Sequence, residues 1–237
     1  MDLKEKLVLE VGSGTGLHTG FLVNCGCKHV IGIDLLDYEN LWDGNFKKQL
    51  ISLYNEFGVY FDQARCQFIK MNAENMLFRD NLFDFVISIN AFEHISDPRK
   101  ALAEIYRVLK PGGYAFIQFD PVYYCDTGSH MFDFINEPWG HLIHSEEEYI
   151  RMLEDTNTPP AIISDFMHGL NRLPRKYFIE LFDEVIKNGK FDKIESYEWS
   201  GVTNSSHLEH PNFKYLCNKY PKEDLLFRGM NVLFRKK

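Results

Sequence analysis

The chain has 237 residues, of which 45% are hydrophobic, enough for one substantial core. Its 34 aspartates and glutamates outnumber its 26 lysines and arginines, so the formal net charge is −8. A nucleic-acid partner is therefore not expected, because phosphate neutralisation needs a basic surface. We find neither a signal peptide nor an apolar run of roughly 20 residues, and expect a cytoplasmic protein with no membrane partner. The five scattered cysteines lack the paired spacing of a zinc site.

Up to about residue 120, short apolar runs alternate with amphipathic stretches, which is typical of βαβ units around a parallel sheet. The predicted strands are 7–11, 29–34, 67–71, 83–89 and 114–119, and the predicted helices are 17–24, 45–57 and 98–109. The third helix has the clearest limits. Asp97 can cap its first amides, Pro98 suits the first helical position, and the Lys-Pro-Gly-Gly of residues 110–113 ends it.

The alternation breaks after Phe119, where a polar and aromatic stretch begins and continues to about residue 173. Segments of this length inside one domain are usually lids or binding elements. A helix at 175–188 and strands at 193–199 and 229–234 then complete the pattern. We therefore expect a single domain over residues 1–237. It comprises a cofactor-binding half at 1–120, an inserted acceptor-binding or lid segment at 120–173, and a C-terminal part at 174–237.

The first strand leads into a glycine-rich loop and then a helix; residues 10–16 read Glu-Val-Gly-Ser-Gly-Thr-Gly. Glycines allow positive φ and close approach, and a helix start offers free amides, so the loop suits a carboxylate, a phosphate or a polar cofactor. A dinucleotide fingerprint starting at Gly12 would need glycine or alanine at position 17, where this chain has Leu17. This disfavours a nicotinamide-dependent oxidoreductase. Asp34, at the end of the second strand, could accept hydrogen bonds from two ribose hydroxyls.

The E-x-G-x-G-x-G form of the loop resembles the first motif of class I S-adenosylmethionine-dependent methyltransferases. Residues 81–94 are similar to the fourth-strand signature of their small-molecule branch, and residues 109–113, Leu-Lys-Pro-Gly-Gly, to the turn before the fifth strand. The motifs follow the family's order over about residues 7–120. The resemblance implies a Rossmann-like α/β fold: a seven-stranded, mostly parallel sheet with an antiparallel last strand, helices on both faces and an insertion after strand 5.

The same resemblance implies S-adenosyl-L-methionine as cofactor and S-adenosyl-L-homocysteine as product. The glycine loop would lie against the methionine part, Asp34 at the ribose and segment 72–74 at the adenine. The family commonly has aspartate where this chain has Asn72, whose amide oxygen can still accept a hydrogen bond from the adenine amine. The expected cofactor-binding residues are Glu10, Gly12, Ser13, Gly14, Gly16, Asp34, Leu35, Asn72, Ala73, Glu74, Ile89 and Asn90.

Methyl transfer to an oxygen requires aligned reactants and a base, for which histidine is the usual side chain. The inserted segment has a Gly-x-His element ending at His130 and a Trp-x-His element ending at His141. These are similar to an insertion in methyltransferases of glycan and natural-product gene clusters. We expect His130 and His141 to act as bases or to orient the acceptor, with Trp139 stacking on it. Alternatively, the two histidines form hydrogen bonds with the loop backbone. His94, which follows the fourth strand, is a third catalytic candidate, or it simply caps its turn.

The favoured function is O-methylation of a small molecule, such as a sugar of a polysaccharide precursor or a nucleotide-linked sugar. A catalytically weak partner of a biosynthetic enzyme is the alternative, motivated by Asn72 and by the absence of a helix before the first strand. Nucleic-acid N-methylation is disfavoured because residues 89–92 lack the Asn/Asp-Pro-Pro-aromatic tetrad, whereas other N- or C-methylation stays open. We expect no metal site, given the irregular spacing of the possible ligands His130, Asp133, His141 and His144.

Overall fold

One mixed sheet organises the protein, which we describe from a computed structural model covering residues 2–41 and 43–237. Its strands are β1 (Leu7–Val11), β2 (His29–Asp34), β3 (Cys66–Lys70), β4 (Phe83–Ile89), β5 (Leu109–Phe119), β6 (Phe191–Ser200) and β7 (Phe227–Lys236). They lie in the order β3-β2-β1-β4-β5-β7-β6. The first five are parallel, and β7 is antiparallel to both neighbours. The predicted seven-stranded sheet with an antiparallel last strand is confirmed.

The helices are α1 (Leu17–Asn24), α2 (Phe46–Glu56), α3 (Pro98–Val108), α4 (Gly140–Ile143), α5 (Glu146–Asp155), α6 (Pro160–His168), α7 (Arg175–Lys187), α8 (Pro211–Leu216) and α9 (Lys222–Leu226). Helix α3 begins as predicted, since the Asp97 side chain accepts a hydrogen bond of 3.1 Å from the Lys100 amide. Its buried face joins α7 and the strands in the main core. Among the described residues, no helix is long and apolar enough to cross a bilayer.

Strand β5 differs most from the prediction, because it starts at Leu109 rather than at residue 114. Leu109 pairs with Phe83, and the register between β4 and β5 shifts before Phe85 pairs with Tyr114. Gly112, with φ of 76°, lies in this irregular stretch. Helix α3 thus ends at Val108, before the Lys-Pro-Gly-Gly segment, which instead forms an irregular start to the strand.

The inserted segment contains helices α4, α5 and α6, none of which the sequence analysis predicted. Helix α5 has a capping box: the Ser145 side chain accepts a hydrogen bond from the Glu148 amide, and the Glu148 side chain accepts one from the Ser145 amide. The segment packs around an apolar cluster of its own, formed by Met131, Ile135, Tyr149, Leu153, Ile163 and Phe166. It therefore forms a small lobe beside the sheet rather than an extended loop.

Candidate functional site

A cavity of about 530 Å³ lies at the carboxyl ends of the parallel strands. It lies beside the point where the strand order reverses between β1 and β4, which is where open α/β sheets usually bind ligands. The lining residues are Gly12, Gly14, Ile33, Asp34, Leu35, Leu36, Met71, Asn72, Ala73, Glu74, Asn90, Ala91, His94, Ile95, Ser96, Asp165, His168 and Gly169. The structure thus brings together most of the predicted cofactor residues and one predicted catalytic histidine.

The glycine loop approaches the turn after β4 so closely that only glycine fits at position 12. Gly12 has φ of 75°, and a Cβ atom there would lie 2.2 Å from the Cβ of Ala91. Gly14 has φ of 49°, but no described atom lies within 4 Å of where its Cβ would be. Gly12 therefore allows close contact between loop and turn, whereas Gly14 leaves the backbone open to the cavity.

Asp34 binds the loop as well as facing the cavity. Its Oδ2 accepts a hydrogen bond of 2.8 Å from the Gly14 amide, and its Oδ1 accepts one of 3.1 Å from the Leu36 amide. A carboxylate has about four acceptor positions, so further lone pairs are available for a ligand's hydroxyls. The arrangement is compatible with the predicted ribose contact, which stays a prediction.

The segment at the predicted adenine position is held by its own side chains. Asn72 Oδ1 accepts a hydrogen bond of 2.8 Å from the Glu74 amide, and Glu74 Oε1 accepts one of 2.9 Å from the amide of Asp97, the cap of α3. Asn72 thereby fixes the turn, a task that asparagine and aspartate share. An aspartate is not needed here to shape this wall of the cavity.

Four predicted cofactor residues do not line the cavity. Glu10 is buried beneath the loop, where it accepts a hydrogen bond from Thr19 Oγ1 and lies 3.3 Å from His18 Nδ1, which raises the His18 pKa. Ser13 Oγ donates to Tyr38 Oη, which donates in turn to the Gly14 carbonyl at 3.0 Å. The other two are Gly16, the N-cap of α1, and Ile89, at the end of β4. Glu10 and Ser13 support the loop from behind.

His94 lines the cavity with a defined tautomer. Its Nδ1 lies 2.8 Å from the carbonyl oxygen of Gly169, and a carbonyl can only accept a hydrogen bond. The proton therefore resides on Nδ1, which leaves the Nε2 lone pair available as a base. The edge of the ring packs against His130, with ring centres 5.2 Å apart.

The other two predicted catalytic histidines bond backbone and do not line the cavity. His130 Nε2 lies 2.9 Å from the Pro121 carbonyl oxygen, and burial lowers the His130 pKa. His141 Nε2 lies 2.6 Å from the Tyr123 carbonyl oxygen, and burial lowers the His141 pKa to about 4. Trp139 is completely buried against Phe213, so it has no surface for stacking on an acceptor. Neutral, carbonyl-bonded histidines of this kind hold the inserted segment together.

The low pKa of His141 predicts a pH-dependent stability. The side chain has a pKa of about 4 in the folded protein against an ordinary value of 6.5, so the unfolded chain binds more protons between these values. The stability that His141 contributes should be complete above pH 6.5 and decline as the pH falls towards 4. Urea unfolding of the wild type and of His141→Gln measures this. A stability difference that stays constant over that pH range would contradict the prediction.

Several residues near the cavity were not predicted from the sequence. Asp165 and His168, one helical turn apart on α6, line the cavity opposite the glycine loop. Asn171 Nδ2 donates to the carbonyl oxygens of Phe92 at 2.6 Å and Ile95 at 2.9 Å, which clamps the turn after β4. The i, i+3 spacing of Asp165 and His168 was the only available signal. In the described part of the chain, no group of three or more His, Cys, Asp or Glu side chains is placed to hold a metal ion.

Comparisons with known proteins agree with this geometry. Residues 9–117 match the family described as methyltransferase domain. The chain is 32% identical over 119 residues to the ubiquinone/menaquinone biosynthesis C-methyltransferase of Psychromonas ingrahamii, covering 47% of either chain. It is 31% identical over 114 residues to the mitochondrial ubiquinone biosynthesis O-methyltransferase of Dictyostelium discoideum, covering 46% of this chain and 34% of that one. The chain thus spans less than half the length of these relatives.

A solved structure supports the fold over the whole chain. The putative S-adenosylmethionine-dependent methyltransferase from Listeria monocytogenes superposes with a TM-score of 0.57 at 14% identity. The match covers 100% of this chain and 93% of that one. At this level of identity the likeness concerns the architecture alone.

Proposed function

We propose that this chain, whose residues 9–117 match a methyltransferase domain, is a class I S-adenosylmethionine-dependent methyltransferase that transfers a methyl group to a hydroxyl of a small, uncharged molecule. The observation that carries the proposal is the position of His94. His94 lies in the wall of the cavity that the glycine loop and Asp34 also line, and its Nδ1 bonds the Gly169 carbonyl oxygen, so that Nε2 is the ring nitrogen left for an acceptor. One cavity therefore offers both a place for the donor and a base for the acceptor.

The cavity suits S-adenosylmethionine, the cofactor of this family. Gly14 leaves the loop backbone open beside the predicted methionine position, and Asp34 has acceptor positions for the ribose. Leu35, an apolar side chain at the cavity, is 67% exposed, so that an adenine ring could cover it. When bound, the cofactor supplies a methyl group activated by a positively charged sulfur.

The residues of this chain then have the task of orienting the acceptor and removing its proton. His94 Nε2 accepts the hydroxyl proton as the oxygen gains the methyl group, while Nδ1 keeps its hydrogen bond to Gly169. The clamp from Asn171 holds the turn that carries His94. Such positioning accounts for much of the rate enhancement in a displacement reaction.

The charges of the cavity favour an uncharged acceptor. Asp34, Glu74 and Asp165 line it, and none of the lining residues described is lysine or arginine. A phosphorylated acceptor would meet this negative field without a cation to pair with. Among the acceptors expected from sequence, a free sugar therefore fits better than a nucleotide-linked sugar. A phenol, which is also uncharged, meets the same condition.

Binding and turnover with defined compounds test the proposal. Calorimetry should detect binding of S-adenosylhomocysteine, and trideuteromethyl-labelled cofactor should label hydroxylated acceptors. Glucose against glucose 6-phosphate and catechol against 2-hydroxyphenyl phosphate, which keeps one free hydroxyl, probe the charge preference; we expect the label on the uncharged compounds only. Absence of S-adenosylhomocysteine binding would overturn the cofactor site, and a label on the phosphorylated compounds would overturn the charge preference.

Carbon methylation is the second candidate, because one of the relatives is named as a C-methyltransferase. The chemical shift of the transferred methyl group in the NMR spectrum of the product separates the two, since methyl groups on oxygen and on carbon resonate in different ranges. Cofactor binding without turnover of any compound would instead favour the alternative function, in which the chain is a catalytically weak partner of a biosynthetic enzyme.

A further inference from the structure

Glu93 has a buried carboxyl group with no bonding partner. The residue is 3% exposed, and neither Oε1 nor Oε2 has a hydrogen-bond partner among the described residues. The backbone amides of Glu93 and Asp120 lower the pKa of the carboxyl, but neither is placed to form a hydrogen bond with it. Burial, reinforced by the Asp120 carboxylate, raises the Glu93 pKa to about 8. At neutral pH the group is therefore mainly a neutral acid, able both to donate and to accept a hydrogen bond.

The backbone of Glu93 is held firmly in this position. Its carbonyl oxygen accepts a hydrogen bond of 2.9 Å from the Asn171 amide, while the Asn171 side chain bonds the carbonyls of Phe92 and Ile95 on either side. Phe92 itself is buried in the main core. A leucine of similar size would be more favourable in such a place, because it has no polar atoms to leave unpaired. Buried groups that stay unpaired in a native structure commonly have a functional reason.

The location of Glu93 is next to the wall where the acceptor would bind. Its neighbours Ala91, His94 and Ile95 line the cavity, and Asp120 marks the carboxyl end of β5. Glu93 thus lies between the ends of β4 and β5, where the inserted segment begins and where Asn171 of that segment returns to the turn.

We propose that Glu93 determines specificity by hydrogen-bonding a second polar group of the acceptor, adjacent to the hydroxyl that receives the methyl group. The inference rests on the proposed function and names the acceptor class as compounds with two neighbouring polar groups, such as catechols and vicinal diols. The carboxyl is covered in this structure, so the proposal requires the residues that cover it to move when the acceptor binds. An acceptor without the second group leaves the carboxyl unpaired, and sites of this kind reject such analogues strongly.

The first test measures thermal stability and needs no acceptor. If the carboxyl is unpaired, Glu93→Leu raises the melting temperature of the full chain, because it removes the buried polar atoms without leaving a large cavity. Glu195→Leu, which changes an exposed glutamate, is the control and should have little effect on the melting temperature. A lower melting temperature for Glu93→Leu would show that the carboxyl is bonded in solution and would overturn the premise.

The second test compares paired acceptors with one or two polar groups: catechol with phenol, and trans-cyclohexane-1,2-diol with cyclohexanol. We expect the wild type to favour the two-group compound by at least about 100-fold in kcat/KM, and Glu93→Leu to reduce this preference to about 10-fold or less. Glu93→Gln, which can also donate and accept, should keep most of it. An unchanged preference in Glu93→Leu, or none in the wild type, would overturn the proposal.

Measuring the binding of S-adenosylhomocysteine distinguishes a failure of the Glu93 proposal from a failure of the proposed function. All three proteins should bind it with affinities within about threefold, since Glu93 does not line the cofactor cavity. Equal binding with no acceptor preference refutes the role of Glu93 alone. Loss of binding in the wild type refutes the cofactor site.

Discussion

Gly12→Ala is expected to weaken the binding of S-adenosylhomocysteine by at least about 100-fold, which corresponds to about 2.7 kcal/mol. Two effects combine at this position. The left-handed backbone conformation, with φ of 75°, costs a residue with a side chain about 1–2 kcal/mol. The new methyl group would also lie 2.2 Å from the Cβ of Ala91, so the loop or the turn after β4 must move. Calorimetry with S-adenosylhomocysteine measures the loss.

Gly58→Ala is the matched control for this substitution. Gly58 has φ of 64°, and no described atom lies within 4 Å of where its Cβ would be. It therefore shares the backbone strain but not the steric overlap, and it lies outside the cavity. We expect it to lower stability slightly and to leave ligand affinity unchanged. An affinity of Gly12→Ala within threefold of the wild type would mean that the close contact with Ala91 has no role in binding.

His94→Ala is expected to lower kcat by about 100- to 10,000-fold, the usual contribution of a positioned base. The affinity for S-adenosylhomocysteine should stay within about threefold of the wild type. His94 is proposed to accept the proton of the acceptor, whereas the glycine loop is proposed to hold the donor. Steady-state kinetics with the acceptor that the wild type uses best, together with calorimetry, measure the two effects. Added imidazole should restore part of the lost activity.

The control for His94 is a histidine elsewhere on the surface. His210 caps α8 by accepting a hydrogen bond of 3.3 Å from the Asn212 amide, and it does not line the cavity. His210→Ala should keep full activity. If His94→Ala were as active as His210→Ala, His94 would not be the base, and His130 would be the next residue to replace.

The part of the cavity beside the glycine loop and Asp34 could be predicted from sequence because its residues lie at strand ends. Gly12 directly follows β1 and Asp34 is the last residue of β2, two strands with clear apolar runs, and parallel strands bring their carboxyl ends to one edge. Helix α3 was equally readable from Asp97 and Pro98. In each case the local sequence pattern predicts the same position for the residue as the order of the strands and helices does.

The part of the cavity beside the inserted segment could not be predicted in the same way, because no strand sets the direction of its side chains. His130 and His141 are candidate bases by residue type, yet their ring nitrogens face the carbonyls of Pro121 and Tyr123. Asp165 reaches the cavity only because α6 folds back over it, and that helix was not predicted. The turns between short helices decide such placements, and hydrophobic periodicity does not encode them.

The contact between Gly12 and Ala91 also links the two halves of the site energetically. The glycine loop and the turn that carries His94 lie so close together that a movement of one requires a movement of the other. An acceptor that shifts the turn changes the affinity of the loop for its ligand, and by thermodynamic reciprocity the donor changes acceptor affinity by the same factor. We therefore expect the affinity for S-adenosylhomocysteine to change when an acceptor is bound, and the acceptor affinity to change by the same factor when S-adenosylhomocysteine is bound.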